Sequence, residues 1–292
     1  MKKAYLFAGI SILIWSTTAT ISKLMLNTLN SYQVLMFSSV FAACALLLVT
    51  IFNGKIKLLL RYRIKDYLLS LLIGLLGTCL YYVFLYAGTE KMEASQAFII
   101  NYLWPIMSVL FACIILKEAM TRRKYLAFAV SFLGVLTVAG GDIFNFKPQT
   151  LIGAGLCVLA AISYGAFTAL SRRWEYDEQI TIMISSFATV IIVAVINIAI
   201  GDAAELGVWQ WLGFAWNGIF VMAIATVTWA LALKHGDTAK ISNLAYIIPF
   251  LSLVWTFFVL EESITLWSLG GLILIILGIF IQILGSRKSK AD

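Results

Sequence analysis

Ten apolar stretches, each long enough to cross a bilayer, take up almost the whole of the 292-residue sequence. A helix needs about 20 residues to span the hydrocarbon. The runs between polar breaks predict helices near 4–26, 32–52, 67–88, 93–116, 123–140, 151–171, 179–200, 208–233, 240–260 and 265–285. They are long and continuous rather than short and alternating, which argues against a transmembrane barrel. The expected fold class is an all-α polytopic membrane protein with ten transmembrane helices. The first stretch, Ala4 to Leu26, has no small-residue cleavage site and nine spans follow it, so it is expected to stay in the mature protein.

Composition excludes a soluble domain: 62% of residues are hydrophobic and 12% charged, with a mean hydropathy of +0.97, whereas about a quarter of soluble-domain residues are charged. The net charge of +7 does not point to nucleic acid, because the basic residues fall where membrane topology predicts them, almost all on one side. Lys2, Lys3, the loop from Lys55 to Lys65, Lys117, Arg122 to Lys124, Arg172, Arg173, Lys234, Lys240, Arg287, Lys288 and Lys290 fall on one face, and only Lys23, Lys91 and Lys147 fall on the other. The positive-inside rule then puts both termini in the cytoplasm; the long apolar helices make an inner-membrane, multi-pass bundle the expected setting. Binding of acidic lipid by the Lys55–Lys65 loop is a minor alternative. Cys44, Cys79, Cys113 and Cys157 sit singly in apolar stretches, as small buried side chains rather than disulfides or metal ligands.

The second half echoes the first. A shift of 144 residues brings Tyr102 onto Tyr246, Pro105 onto Pro249, Glu118 onto Glu262, Thr121 onto Thr265, Gly134 onto Gly278 and Gly141 onto Gly285. A shift of 149 pairs Trp15 with Tyr164, Ser22 with Ser171 and Lys23 with Arg172. The expected organisation is one integral membrane domain of two five-helix repeats, 1–145 and 146–292. Five is odd, so the second repeat enters the membrane from the opposite side. Inverted repeats place a substrate site near the midplane and work by alternating access.

Candidate site residues follow from polar and aromatic groups at mid-span. Pro105 and Pro249 are expected helix kinks, freeing the carbonyls of Asn101 and Ala245; freed carbonyls at that depth should face protein or a cavity. Asn101, Tyr102 and Trp104 surround the first kink, Asn243 and Tyr246 the second. Packing alone would also account for either proline. The first span carries Ser11, Trp15, Thr18 and Ser22 on one face, and the sixth carries Tyr164, Thr168 and Ser171; such hydroxyls also glue membrane helices together. Tyr81 or Tyr82 of the third span is deep enough to reach a cavity, Tyr86 reads as an interfacial belt residue, and Trp229 suits cavity and lipid equally.

The absences narrow the chemistry. No carboxylate lies at mid-span, as proton-coupled pumps commonly require, and no central Lys or Arg offers itself to an anionic substrate. Glu118 and Glu262, at helix ends, are expected to cap the following helix or to pair with a neighbouring loop. Rings, hydroxyls and freed carbonyls suit a neutral or zwitterionic solute with an apolar body, or an organic cation. His235 is the only histidine and no metal, nucleophile or phosphate motif accompanies it, so neither an enzyme nor a cofactor is expected. A membrane partner or receptor that transports nothing is the different-class alternative.

Leu13-Ile-Trp15-Ser-Thr17, Leu116-Lys-Glu118 and Leu260-Glu-Glu262 resemble motifs of the drug/metabolite transporter superfamily, in its EamA-type branch. The resemblance covers essentially the whole chain. Within that branch, Asn101-Tyr-Leu-Trp-Pro105, Gly140-Gly-Asp142, Trp229 through Gly236 and Tyr246-Ile-Ile-Pro249 resemble the bacterial aromatic amino acid exporters. The third span and the loop after it are several residues shorter than in those exporters. The resemblance implies a ten-helix fold with a central cavity in a bacterial inner membrane, with Tyr102, Trp104 and Tyr81 or Tyr82 on the substrate path and aromatic residues at Trp15 and Tyr164. The expected activity is export of phenylalanine, tyrosine and tryptophan by alternating access, as a uniporter, with a monomer sufficing; another small metabolite or an organic cation is the alternative substrate.

Overall fold

Every apolar stretch with described residues is helical. The computed structural model describes residues 2–139, 148–202, 205–236, 241–242 and 244–288, with only the helical backbone described over 283–288. Among the described residues there is no strand. The helices are α1 (Lys2–Ser16), α2 (Thr18–Leu26), α3 (Ser31–Phe52), α4 (Ile56–Leu59), α5 (Ile64–Leu75), α6 (Tyr81–Glu90), α7 (Ala94–Asn101), α8 (Trp104–Ile115), α9 (Arg122–Ala139), α10 (Pro148–Trp174), α11 (Glu178–Ile200), α12 (Val208–Ala215), α13 (Ala225–His235), α14 (Ile248–Leu260) and α15 (Leu266–Lys288). Two π-helical segments, Leu76–Leu80 and Trp216–Ile224, join α5 to α6 and α12 to α13. A 3-10 turn, Ala245–Ile247, leads into α14. Among the described residues, seven continuous stretches are long and apolar enough to cross a membrane, and two shorter apolar helices, Ala245–Leu260 and Leu266–Gln282, accompany them.

Polar residues at the breaks explain where the helices start and stop. Asn30 and Gln33 form a reciprocal capping box at the start of α3: Asn30 Oδ1 accepts from Gln33 N at 2.9 Å, and Gln33 Oε1 accepts from Asn30 N at 3.1 Å. Asp177 accepts from Ile180 N and starts α11, which Gly201 ends in the left-handed conformation. Thr265 Oγ1 accepts from Ser268 N and starts α15. Lys117 and Glu261 end α8 and α14 with φ of 56° and 55°, an uncommon region for side chains other than glycine. These two residues lie 144 positions apart in the chain.

By contact, the chain forms two compact units: Met1–Cys79 with Tyr176–Glu261, and Leu80–Glu175 with Glu262–Asp292. In the first unit, Gly74 lets α5 approach α11, since a Cβ there would lie 2.8 Å from the carbonyl oxygen of Thr181. Gly218 does the same for the second π segment and α3, where a Cβ would lie 2.8 Å from Ala42 N. The basic loop is tied down within this unit by a Lys55–Asp177 ion pair of 2.7 Å and by the rings of Tyr62, Tyr67 and Tyr176.

In the second unit, α9 and α15 pack at backbone contact through small residues, as membrane helices do when dispersion replaces the hydrophobic effect. A Cβ on Gly134 would meet the Gly271 oxygen at 2.7 Å, and one on Gly278 would meet the Ala127 oxygen at 2.6 Å. Gly134 and Gly278 are 144 apart, as are Ala127 and Gly271, so the two contacts are copies with the partners exchanged. Ser131 Oγ donates to the carbonyl of Ile275, its own counterpart under the same shift, at 3.2 Å. Large apolar side chains such as Ile191, Val195 and Ile198 of α11 stay exposed, as lipid-facing positions require.

Candidate functional site

The second unit gathers five of the sequence-selected residues into one group. Tyr81 and Tyr82 come from the start of α6, immediately after the first π segment. A π turn adds a residue to the helical repeat and rotates everything beyond it about the axis, and such segments occur frequently at functional sites. The Tyr81 ring lies 4.7 Å from that of Tyr82 and 4.9 Å from that of Tyr164 on α10, and Tyr164 lies 5.2 Å edge-on to Trp104 on α8. Phe167, which sequence reasoning passed over, extends the group at 5.6 Å from Tyr164.

Asn101 reaches this group because α7 stops there. Tyr102 N bonds to both Phe98 and Ile99 carbonyls at 3.2 and 3.1 Å, and Leu103 N bonds to Ile100 at 3.0 Å, so the ladder tightens from four-residue to three-residue spacing. Helix α8 then restarts with Pro105 in its first turn, where a missing amide proton breaks no ladder bond. The chain here is two helices meeting at a break rather than one bent helix. Asn101 Nδ2 donates to the Tyr81 hydroxyl at 2.9 Å. Its Oδ1 is buried with no hydrogen-bond partner. Tyr102, at the break, is buried.

Ahead of Pro249 the carbonyl of Ala245, expected to be free, accepts from Ile248 N inside the 3-10 turn. Local tightening of this kind re-satisfies groups that a proline releases. Tyr246 is half-buried in the same turn. Asn243 lies outside the described residues, as do Gly140-Gly-Asp142, Lys147, Lys240 and Lys290.

The first unit holds the other aromatic group, arranged differently. Trp15 lies 5.5 Å from Trp229 and donates its indole proton to the Val221 carbonyl in the second π segment at 3.1 Å. One turn away, Ser11 Oγ is 2.9 Å from the Ala225 carbonyl and 2.7 Å from Thr228 Oγ1. Two further tryptophans donate to hydroxyls on either side of the α1–α2 break, Trp255 to Ser16 at 3.0 Å and Trp216 to Thr17 at 2.9 Å. Ser16 and Thr17 also donate to the carbonyls three residues back, a local bond that competes with the helix ladder and accounts for the interruption.

Three further expectations change. Tyr86 is 1% exposed and lies 5.4 Å from Tyr82, so it is a core ring rather than a belt residue. Cys44 is exposed while Cys79 and Cys157 are buried; a small apolar thiol is tolerated against lipid. Glu262 does not cap the helix after it, a role taken by Thr265. Its two oxygens accept from Ala94 N at 2.7 Å and Ser95 N at 2.8 Å, at the start of α7. Glu118 pairs with Arg172 at 3.1 Å and with Lys124 at 3.5 Å.

Apolar spanning helices interrupted at mid-length by π turns, 3-10 turns and a proline break define a polytopic membrane protein of the kind that carries solutes. The chain belongs to the EamA-like transporter family, whose model matches residues 2–140 and again 151–284. It is 25% identical to an uncharacterized transporter of Clostridium kluyveri over 99% of this chain and 96% of the relative. It is also 25% identical to the aromatic amino acid exporter YddG of Ancylobacter novellus, over 61% of this chain and 62% of that protein. A solved crystal structure at 20% identity superposes with a TM-score of 0.69 over 99% of both chains, which shows the shared fold.

Proposed function

We propose that this transporter is a bacterial inner-membrane exporter of amino acids, aromatic ones first, and that Tyr81, Tyr82, Asn101, Tyr102, Trp104 and Tyr164 line the substrate path. The carrying observation is the buried, unpartnered Oδ1 of Asn101 beside the Tyr81–Tyr164–Trp104 rings. An unpaired buried acceptor is unfavourable, and the ammonium group of a bound amino acid would satisfy it while the rings take the aromatic body. The relative named as an aromatic amino acid exporter supports the same reading.

The proposal includes ten spans in two inverted repeats, 1–145 and 146–292, with both termini cytoplasmic and a monomer as the working unit. Its support is the exchanged pair of glycine contacts between α9 and α15, the matching left-handed residues Lys117 and Glu261, and the family model that matches twice. The two π segments, in the third and eighth spans, agree with it. Alternating access between the repeats, without obligatory ion coupling, is the simplest mechanism.

Counterflow of labelled phenylalanine into proteoliposomes preloaded with single unlabelled amino acids, with no ion gradient imposed, tests this reading. Accumulation against aromatic loads only is the expected result. No accumulation by folded protein removes the aromatic assignment. The ring faces also suit an organic cation, and phenethylamine competing better than phenylalanine would select that second reading.

A further inference from the structure

A cavity of about 190 Å³ lies within the second unit, lined by Ser108 and Ala112 of α8, Thr168 and Arg172 of α10, Glu118 and Lys124. Its position follows from helical spacing. Trp104, Ser108 and Ala112 are four residues apart along α8, and Tyr164, Thr168 and Arg172 are four apart along α10, so each trio shares a face. The Trp104–Tyr164 ring pair therefore leads to a pair of hydroxyls one turn on, and then to a charged cluster. Ser108 donates to the Trp104 carbonyl and Thr168 to the Tyr164 carbonyl, both at 2.9 Å. With their protons committed, both hydroxyls offer acceptor lone pairs to the cavity.

At the rim, Arg172 and Lys124 share one carboxylate, that of Glu118, which leaves the cluster one positive charge in surplus. The cavity is smaller than the roughly 300–1,000 Å³ of sites that enclose a drug-sized ligand. It suits a charged head group, not a whole aromatic molecule.

We propose that this cavity is a second substrate site, in which Arg172 and Lys124 take the carboxylate of a zwitterionic amino acid and Glu118, with the two hydroxyls, takes its ammonium group. Under the orientation proposed above, on which this inference rests, the site faces the cytoplasm and admits substrate towards the Trp104–Tyr164 pair. The surplus positive charge is neutralised by the carboxylate, and a bidentate guanidinium–carboxylate pair fixes the head group's orientation.

Everted membrane vesicles, in which the cytoplasmic face is outward, carry the test. Uptake of labelled phenylalanine is competed by phenylalanine, by phenylalaninamide, which lacks the carboxylate, and by N-acetylphenylalanine, which lacks the ammonium group. Arg172→Gln should raise KM from this face about fivefold at unchanged kcat from this face, the scale of an exposed charge pair. From the opposite face it should leave KM unchanged and lower kcat by the same factor, as a carrier without ion coupling requires. It should also remove the preference for phenylalanine over its amide. Glu118→Gln should remove the preference over the N-acetyl compound instead, and Arg172→Lys, which keeps the charge but not the bidentate geometry, should recover the preference over the amide and only part of the KM. Unchanged KM and competitor ranking in both variants overturns the site. A defect in Arg172→Gln that follows the anionic lipid content of the vesicles, with the ranking intact, also overturns it and makes the cavity a lipid head-group site. If wild-type protein takes up no phenylalanine from either face, the exporter reading falls and this site falls with it; normal wild-type uptake with unaltered variants removes the cavity alone.

Discussion

The two units hold aromatic groups of similar make-up whose hydrogen bonding differs. In the first unit Trp15, Trp216 and Trp255 each donate the indole proton to a partner in the same unit, the Val221 carbonyl, Thr17 and Ser16. In the second, Tyr81, Tyr82, Trp104 and Tyr164 are arranged mainly ring against ring, and the neighbouring Asn101 keeps one buried oxygen unpartnered. A buried polar group that is fully satisfied stabilises and orients what surrounds it, and one left short needs a partner. The first unit has such groups too, both amide atoms of Asn217 among them, but none takes part in its tryptophan bonds. The indoles of the first unit are thus tied to its own helices, and the rings of the second are those proposed above as the binding surface.

Substitution should separate the two roles, and the largest effect falls on the second unit. Trp104→Ala is expected to lower phenylalanine flux by about 100-fold, the scale of a lost aromatic anchor, with a melting temperature in detergent close to wild type. Tyr102→Ala should follow the same direction. Normal flux in either well-expressed variant would break the comparison at its functional end.

Trp15→Ala should show the reverse pattern, destabilising the protein by about 2–3 kcal/mol through lost packing and the lost bond to Val221, with residual flux in the fraction that stays folded. Thermal unfolding beside flux per folded molecule measures it; a stable, transport-dead Trp15→Ala would move the first unit's group into the binding surface. Trp15→Phe keeps the ring and removes only the indole donor, so a loss of about 1 kcal/mol is expected. Glu262→Gln probes the second unit's scaffold away from its rings. It leaves one acceptor oxygen where two hold the start of α7 and removes a charge that favours a helix N-terminus, for about 1 kcal/mol, seen as faster amide exchange at Ala94 and Ser95.

Much of this was legible before any coordinates. The ten apolar runs, the 144-residue echo and the mid-span prolines are periodic or local features, and periodicity follows from the helix itself. Tyr81, Trp104 and Tyr164 were read from the sequence as mid-span rings, yet no spacing rule brings α6, α8 and α10 together. The π segments left no sign in the sequence, because a continuous apolar run reads the same whether its turns are α or π. Tyr86 was misread for a related reason: distance along a helix gives depth but not which side faces a neighbour.

The sequence by itself determined that this chain folds as helices in a membrane, since lipid leaves the polar backbone of a long apolar run no alternative to internal hydrogen bonding, and it carries the 144-residue echo between its halves. Only the tertiary structure decided how those halves are used. It drew residues of both halves of the sequence into each compact unit and sent Glu262 to the start of a helix 168 residues earlier in the chain. It also left Asn101 one bond short among rings. Such outcomes depend on close approach between distant segments, which is set by how small residues let backbones meet and is invisible to any local pattern.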